Sequence, residues 1–140
     1  MDNNVIFIGG SGRSGTNILR KLLSNHSQVA SLPFEYRFII DPDGIVDFYN
    51  SFTSNWSPYY SDVKIKRLNI FLINLAEKNN TKSNYIDWEL SKYFPHYIEN
   101  VQKLISNLKS FEYDGLWPGS NKNNKEYKIW FSDYKDIESI

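Results

Sequence analysis

Hydrophobic and polar positions follow two different periods along this chain, and together they predict a mixture of strands and helices. Residues 5–8 form an uninterrupted apolar run that ends at two glycines, which is typical of a strand buried on both faces of a parallel sheet. From Thr16 to residue 23 the apolar positions recur at helical spacing, and this helix should end near residues 25–26. A second short strand is expected over residues 28–32. The N-terminal order is therefore strand, glycine loop, helix.

The rest of the chain predicts mainly helices. A short helix is expected around residues 45–52, inside a segment of loops, and an amphipathic helix should begin near Asp62 and continue to residue 75. A clearer helix follows Pro95, with apolar positions on one face up to residue 108. Residues 127–131 predict a last short strand or an extended connection. The aromatic pairs at residues 59–60 and 93–94 are expected in the core.

Composition narrows the class of protein. The chain has 140 residues, 41% of them hydrophobic, with ten Tyr, nine Phe and four Trp, so we expect one domain over residues 1–140. Sixteen basic and sixteen acidic residues cancel, which favours neither nucleic acid nor membrane as a partner. Cysteine is absent, which excludes thiolate chemistry. With no predicted signal peptide or membrane span, we expect the protein in the cytoplasm.

The glycine loop after the first predicted strand has the outline of a phosphate-binding site. Gly10 and Gly15 stand at the spacing of the GxxxxG half of a Walker A motif, at the start of a predicted helix. The lysine that grips ATP phosphates is missing, since Thr16 and Asn17 follow the second glycine. The nearby cation is Arg13, whose guanidinium can bind phosphate or sulfate oxygens in a bidentate manner. The loop therefore predicts an anion site that differs from an ATP site.

The stretch FIGGSGRSGTNILRKLLSNHSQVASLPFEYRFI resembles the sulfotransferases that use 3′-phosphoadenosine-5′-phosphosulfate (PAPS), nearest to tyrosylprotein sulfotransferases and their bacterial relatives. In that family a strand and two glycines precede Arg-Ser-Gly-Thr-Thr, and a helix, a His and a Glu-x-Arg element follow. The corresponding residues here are residues 13–17, His26, Glu35 and Arg37. The resemblance covers about the first 40 residues, and it implies an α/β fold with a P-loop-type parallel sheet and flanking helices.

The resemblance also implies roles for individual residues. Glu35 would take the proton of an acceptor hydroxyl, and Arg13 would stabilise the charge that develops during sulfuryl transfer. Arg37 would position the acceptor, which would be a protein, a carbohydrate or a small molecule. PAPS would be the co-substrate, and no metal is needed. The residues expected to hold PAPS are Gly10, Ser11, Gly12, Arg13, Ser14, Gly15, Thr16 and Asn17.

The sequence departs from the family in two ways. Asn17 stands where the family has a hydroxyl, and the second half of the chain has no arginine for a 3′-phosphate site. We therefore expect an incomplete fold, the N-terminal portion of a sulfotransferase, whose sheet edge a second copy or a partner chain could complete.

Three alternatives stay open from the sequence alone. The loop could belong to a P-loop kinase or another nucleotide phosphotransferase, or the chain could be a non-catalytic remnant that binds an anion. Glu35 could be a surface carboxylate paired with Arg37. The basic cluster Lys64, Lys66 and Arg67 is expected on the solvated side of its helix. The other interpretation is that this cluster binds an acidic acceptor.

Overall fold

The computed structural model describes residues 4–78, 88–115, 128–133, 135 and 137. The chain divides into two compact units, Met1–Glu35 and Tyr36–Ile140. Within the described residues the protein is a mixed α/β structure with five α-helices and one two-stranded antiparallel sheet. None of the helices in these ranges is long and apolar enough to cross a membrane.

The first unit contains helix α1, Thr16–Ser24, which begins and ends close to the predicted positions. The predicted strands at residues 5–8 and 28–32 are not formed in the described part of the chain. A strand exists only where a second strand completes its ladder of backbone hydrogen bonds, and no described strand pairs with residues 5–8. Their apolar side chains are largely uncovered, with Phe7 85% exposed.

The second unit contains all the other described elements. After a 3₁₀ turn they are mainly helices, and the two strands come last. The bounds are Arg37–Ile39 for the 3₁₀ turn, Ile45–Thr53 for α2, Pro58–Asn74 for α3, Leu90–Tyr93 for α4, Tyr97–Leu108 for α5, Phe111–Asp114 for β1 and Lys128–Phe131 for β2.

Helix α3 is the centre of the second unit, since α2, α5 and β2 all pack against it. The Ser57 hydroxyl accepts a hydrogen bond from the Tyr60 N–H and caps the helix, and Pro58 occupies its first turn. The apolar pattern predicted a start near Asp62. Because of this cap and proline, the helix begins four residues earlier, at Pro58. Its side chains Ile65 and Leu68 are 0% and 2% exposed and form the middle of the core.

Aromatic residues divide between core and surface differently from the prediction. Phe48, Phe52 and Phe71 are buried. The pairs at residues 59–60 and 93–94, expected in the core, are 39% to 52% exposed, so that prediction was wrong. The buried face of α3 begins at Ser61, one residue after the first pair, and Phe94 of the second pair lies just beyond the end of α4 in extended conformation.

Strand β2 is held on both of its edges. One edge pairs with β1 in antiparallel register, with Phe111 opposite Phe131. The other edge faces α3, where side chains replace a third strand. The Trp130 N–H donates to Asp62 at 2.9 Å, the Ser61 hydroxyl donates to the Trp130 carbonyl at 3.2 Å, and Lys66 donates to the Lys128 carbonyl at 2.5 Å. This explains why Ser61 and Asp62 are buried polar residues.

Candidate anion-binding site

The two glycines of the GxxxxG pattern are both required by the shape of the loop, for different reasons. A Cβ on Gly10 would collide with the Ser14 hydroxyl and lie 2.8 Å from the Thr16 methyl group, because the loop folds back over this position. Gly15 has a φ of 87°, in the left-handed region that L-residues avoid. A Cβ on Gly9 or Gly12 would meet nothing within 4 Å. The conformation of the loop therefore requires glycine at the two positions that the GxxxxG motif specifies, Gly10 and Gly15.

Helix α1 starts directly after the loop. The Ser14 N–H donates to the Ser11 carbonyl at 3.1 Å and closes a turn, and the Ile18 and Leu19 N–H groups donate to the Gly15 carbonyl to begin the helix. No side chain caps this end of the helix. The first N–H groups of a helix have no acceptor within the helix, and with the positive end of its dipole they attract anions.

Arg13 differs from the other three arginines in its surroundings. Arg20 donates to the Leu32 carbonyl at 2.7 Å, Arg37 pairs with Asp41 and Arg67 pairs with Asp43. Arg13 forms no ion pair within the described ranges and is exposed. Its φ of 62° lies in the left-handed region, at a cost of roughly 1–2 kcal/mol for a residue with a side chain. The glycine loop thus carries a cation that has no ion pair with the described residues, on a backbone of unusual conformation.

The structure brings the predicted base to the predicted loop. The Asn17 amide, in the first turn of α1, donates from Nδ2 to Oε1 of Glu35 at 3.3 Å across 18 residues of sequence. Both side chains are exposed. This contact joins two parts of the family-like pattern, the RSGTN loop and the Glu-x-Arg element. It also gives Asn17 a structural role that a threonine hydroxyl would fill less easily, because an amide reaches further and has two donors.

Arg20 is a positioning residue that the sequence analysis missed. It lies three residues after Asn17 on α1, so the two side chains share one helix face. Arg20 binds the Leu32 carbonyl and Asn17 binds Glu35, and α1 therefore fixes the segment that ends at Glu35 in two places. The i, i+3 spacing of two polar side chains on α1 was the available signal in the sequence.

The predicted acceptor-positioning residue, Arg37, belongs to the second unit. Its guanidinium pairs with Asp41 at 3.3 Å, and its side chain is 65% exposed. The role of Arg37 towards an acceptor stays a prediction. His26, the other part of the family-like pattern, accepts the Gln28 N–H at Nδ1 at 3.2 Å, which gives it a local structural role at the end of α1.

The basic cluster on α3 is neutralised by nearby aspartates. Lys64 pairs with Asp47 at 2.8 Å, Lys66 with Asp62 at 2.7 Å and Arg67 with Asp43 at 2.7 Å. The hydrogen bond from Lys64 is the main reason why the pKa of Asp47 lies below its usual value. Burial opposes this shift, and the charges of Lys64 and Arg67 add to it. The pairing favours a structural role for the cluster over a grip on an acidic acceptor.

Comparison of the chain with protein-family models, curated proteins and solved structures finds no match. A function for this chain is therefore argued from its own residues and from the geometry described above.

Proposed function

We propose that this chain is a sulfotransferase-like protein that transfers a sulfuryl group from PAPS to a hydroxyl of a protein, carbohydrate or small molecule. The observation that carries the proposal is the 3.3 Å contact between Asn17 of the glycine loop and the Glu35 carboxylate. A base for sulfuryl transfer must stand beside the group that is transferred, and the contact supports the proposal because it joins the Glu35 carboxylate to the first turn of the helix that follows the glycine loop.

The loop fits a 5′-phosphosulfate in its chemistry. Gly10 and Gly15 allow the backbone to fold closely, and the N–H groups of Thr16 and Asn17 stand at an uncapped helix start. Arg13 supplies the charge that a P-loop lysine would otherwise supply. We propose that residues 10–17 together hold the donor, with the guanidinium stabilising the charge on the sulfuryl group and on the departing phosphate.

Glu35 is the proposed general base. Its Oε1 accepts from Asn17, which leaves Oε2 without a hydrogen bond to the described residues and available to an acceptor hydroxyl. In the transfer the hydroxyl proton moves to the carboxylate, the acceptor oxygen forms a bond to sulfur, and the bond from sulfur to the bridging phosphate oxygen breaks. The products are the sulfated acceptor and adenosine 3′,5′-bisphosphate, and no metal takes part.

The proposal includes a parallel sheet around residues 5–8. Four apolar residues followed by glycines suit the central strand of such a sheet, and Val5, Ile6 and Phe7 are 71%, 63% and 85% exposed. Pairing with strands of a second copy or of a partner chain would cover them. We also propose that the protein acts in the cytoplasm, which the absence of cysteine favours.

The first test is donor binding by isothermal titration calorimetry with adenosine 3′,5′-bisphosphate. Arg13→Ala should weaken binding about 10- to 100-fold, as expected for the loss of a charged hydrogen bond. Lys21→Ala removes a positive charge from the same unit outside the loop and should leave binding unchanged. If neither variant changes the affinity, or if the wild-type chain binds only magnesium-ATP, the donor site is wrong and the phosphotransferase alternative replaces it.

The second test is transfer itself, measured with [³⁵S]PAPS and three acceptors: a tyrosine peptide, a phenol and a sugar. Glu35→Gln should keep donor binding and lose about 10²- to 10⁴-fold in transfer rate, the usual contribution of a general base. A chain that binds the bisphosphate and transfers nothing to any acceptor would be a non-catalytic anion-binding remnant. Equal rates for wild type and Glu35→Gln would remove Glu35 from the mechanism.

A further inference from the structure

The second unit contains an apolar cavity of about 370 Å³. Its walls come from five elements: the 3₁₀ turn with the residue before it, α2, α3, α4 and α5. The space is a depression that is open to solvent on one side, since Tyr36 and Phe94 at its border are 49% and 41% exposed. Its volume lies at the lower end of the range of roughly 300–1,000 Å³ for small-molecule sites.

Aromatic and aliphatic side chains dominate the lining. Tyr36, Phe38, Phe94 and Tyr97 contribute rings, and Ile45 closes the space from α2. Tyr36 and Phe38 meet edge to face, with ring centroids 5.6 Å apart. Such rings pack best against other rings, in offset or edge-to-face arrangements. The lining therefore favours a flat aromatic ligand over a branched aliphatic one.

Among the residues that the structure describes, those that line the cavity include no Asp, Glu, Lys, Arg or His. A charged ligand would lose its hydration here and find no opposite charge, which is strongly unfavourable. The phenol of Tyr97 does not change this, because burial raises its pKa to about 12 and it stays neutral. The described lining therefore favours an uncharged ligand.

Two polar groups can orient a ligand. The Tyr97 hydroxyl donates to the Leu72 carbonyl at 3.0 Å, so its proton is engaged and its oxygen can still accept. The Asn100 side chain lies at the exposed edge of the lining and makes no hydrogen bond within the described residues. Its amide can both donate and accept. One hydroxyl or carbonyl on the ligand would satisfy it.

We propose that this cavity binds an uncharged aromatic molecule of one or two rings that carries a single hydroxyl or carbonyl group. The volume, the rings in the lining, the lack of charge among the described lining residues and the Asn100 amide together favour this class of ligand. The inference stands apart from sulfuryl transfer, and its test uses no PAPS.

The test is calorimetric titration of the full chain with 2-naphthol, compared with naphthalene-2-sulfonate and glucose. We expect 2-naphthol to bind with a Kd below about 1 mM, and the sulfonate, which has the same rings and a full charge, to bind at least about tenfold more weakly. Glucose should not bind. Equal affinity for the sulfonate would overturn the assignment of an uncharged ligand.

Two neighbouring residues provide matched variants. Phe94 lines the cavity and Tyr93 does not, although they are 41% and 39% exposed. Phe94→Ala should raise the Kd for 2-naphthol about 3- to 10-fold through the lost ring contact, and Tyr93→Ala should not. Leu104→Trp should fill the cavity and abolish binding. Far-UV circular dichroism and the thermal midpoint of each variant show whether it is folded.

Several outcomes would refute the proposal. Folded wild-type protein could fail to bind 2-naphthol, or folded Phe94→Ala and Leu104→Trp could both bind it as the wild type does. Sedimentation velocity could give a third outcome that refutes the proposal. If the chain forms dimers that Phe94→Ala dissociates and 2-naphthol does not affect, the cavity is an interface between two copies and the small-molecule assignment is wrong.

Discussion

Ser61 is the buried hydroxyl that joins helix α3 to strand β2, and its replacement by alanine tests how the sheet is held. Its Oγ accepts the Ser132 N–H at 2.6 Å and donates to the Trp130 carbonyl at 3.2 Å. Ser61 and Ser132 are both 0% exposed, so water cannot replace the lost partner. A buried N–H left without an acceptor costs about 1–3 kcal/mol.

The net effect of Ser61→Ala should lie close to that cost. Alanine has the higher helix propensity, which returns roughly 0.5 kcal/mol. The free energy of unfolding should therefore fall by about 0.5–2.5 kcal/mol, with the m-value unchanged. Urea denaturation followed by tryptophan fluorescence measures both quantities. Trp56 is a local reporter, because its Nε1 donates to the Ser132 carbonyl at 3.2 Å.

Ser51→Ala is the matched control. Ser51 is also buried on a helix, at 8% exposed, and its Oγ donates to the Asp47 carbonyl one turn earlier, at 2.7 Å. Its loss leaves no buried donor unpaired, so the change should stay within roughly 0.5 kcal/mol. If both serine variants lose the same stability, the bridge from Ser61 to the strand does not stabilise the sheet and the reasoning fails.

Two further predictions concern the second unit. A Cβ on Gly44 would collide with the Phe38 carbonyl oxygen and lie 2.7 Å from that of Asp41, so Gly44→Ala should lower the unfolding free energy by about 1–3 kcal/mol, while Gly12→Ala, which meets nothing within 4 Å, should not. Equal thermal midpoints would contradict this. Burial raises the pKa of Tyr97 to about 12, so its contribution to stability should be intact below pH 10 and be lost as the pH rises towards 12. An absorbance titration of phenolate should lose its last step in Tyr97→Phe, and an unchanged titration would show that another tyrosine is responsible.

The glycine loop is where sequence and structure agree in most detail. The motif singled out Gly10 and Gly15, and the structure explains each, one by the close approach of Ser14 and one by a positive φ. The start of α1 at Thr16 also follows the pattern. The contact from Asn17 to Glu35 could not be predicted, because nothing in the spacing of two residues 18 positions apart indicates that they meet.

Sequence and structure differ in the predicted parallel sheet. An apolar run such as residues 5–8 shows that a segment can be a buried strand, yet the ladder depends on a second strand that the run itself does not supply. The strand at Phe111–Asp114 was missed although its four residues alternate between apolar and polar side chains, because the segment is short. All four residues are exposed, and the backbone pairing with Lys128–Phe131 makes the segment a strand.

By itself the sequence determined four of the five described helices, α1, α2, α3 and α5, and the bend of the loop. Helical spacing, Pro58 and the glycines act over a few residues, and local sterics and backbone hydrogen bonds within one segment are enough to produce these features. Only the tertiary structure decided which strands pair, which serine and aspartate replace a third strand beside β2, and which carboxylate meets the loop. Those contacts join residues far apart in the chain, and their geometry arises only once the helices have packed.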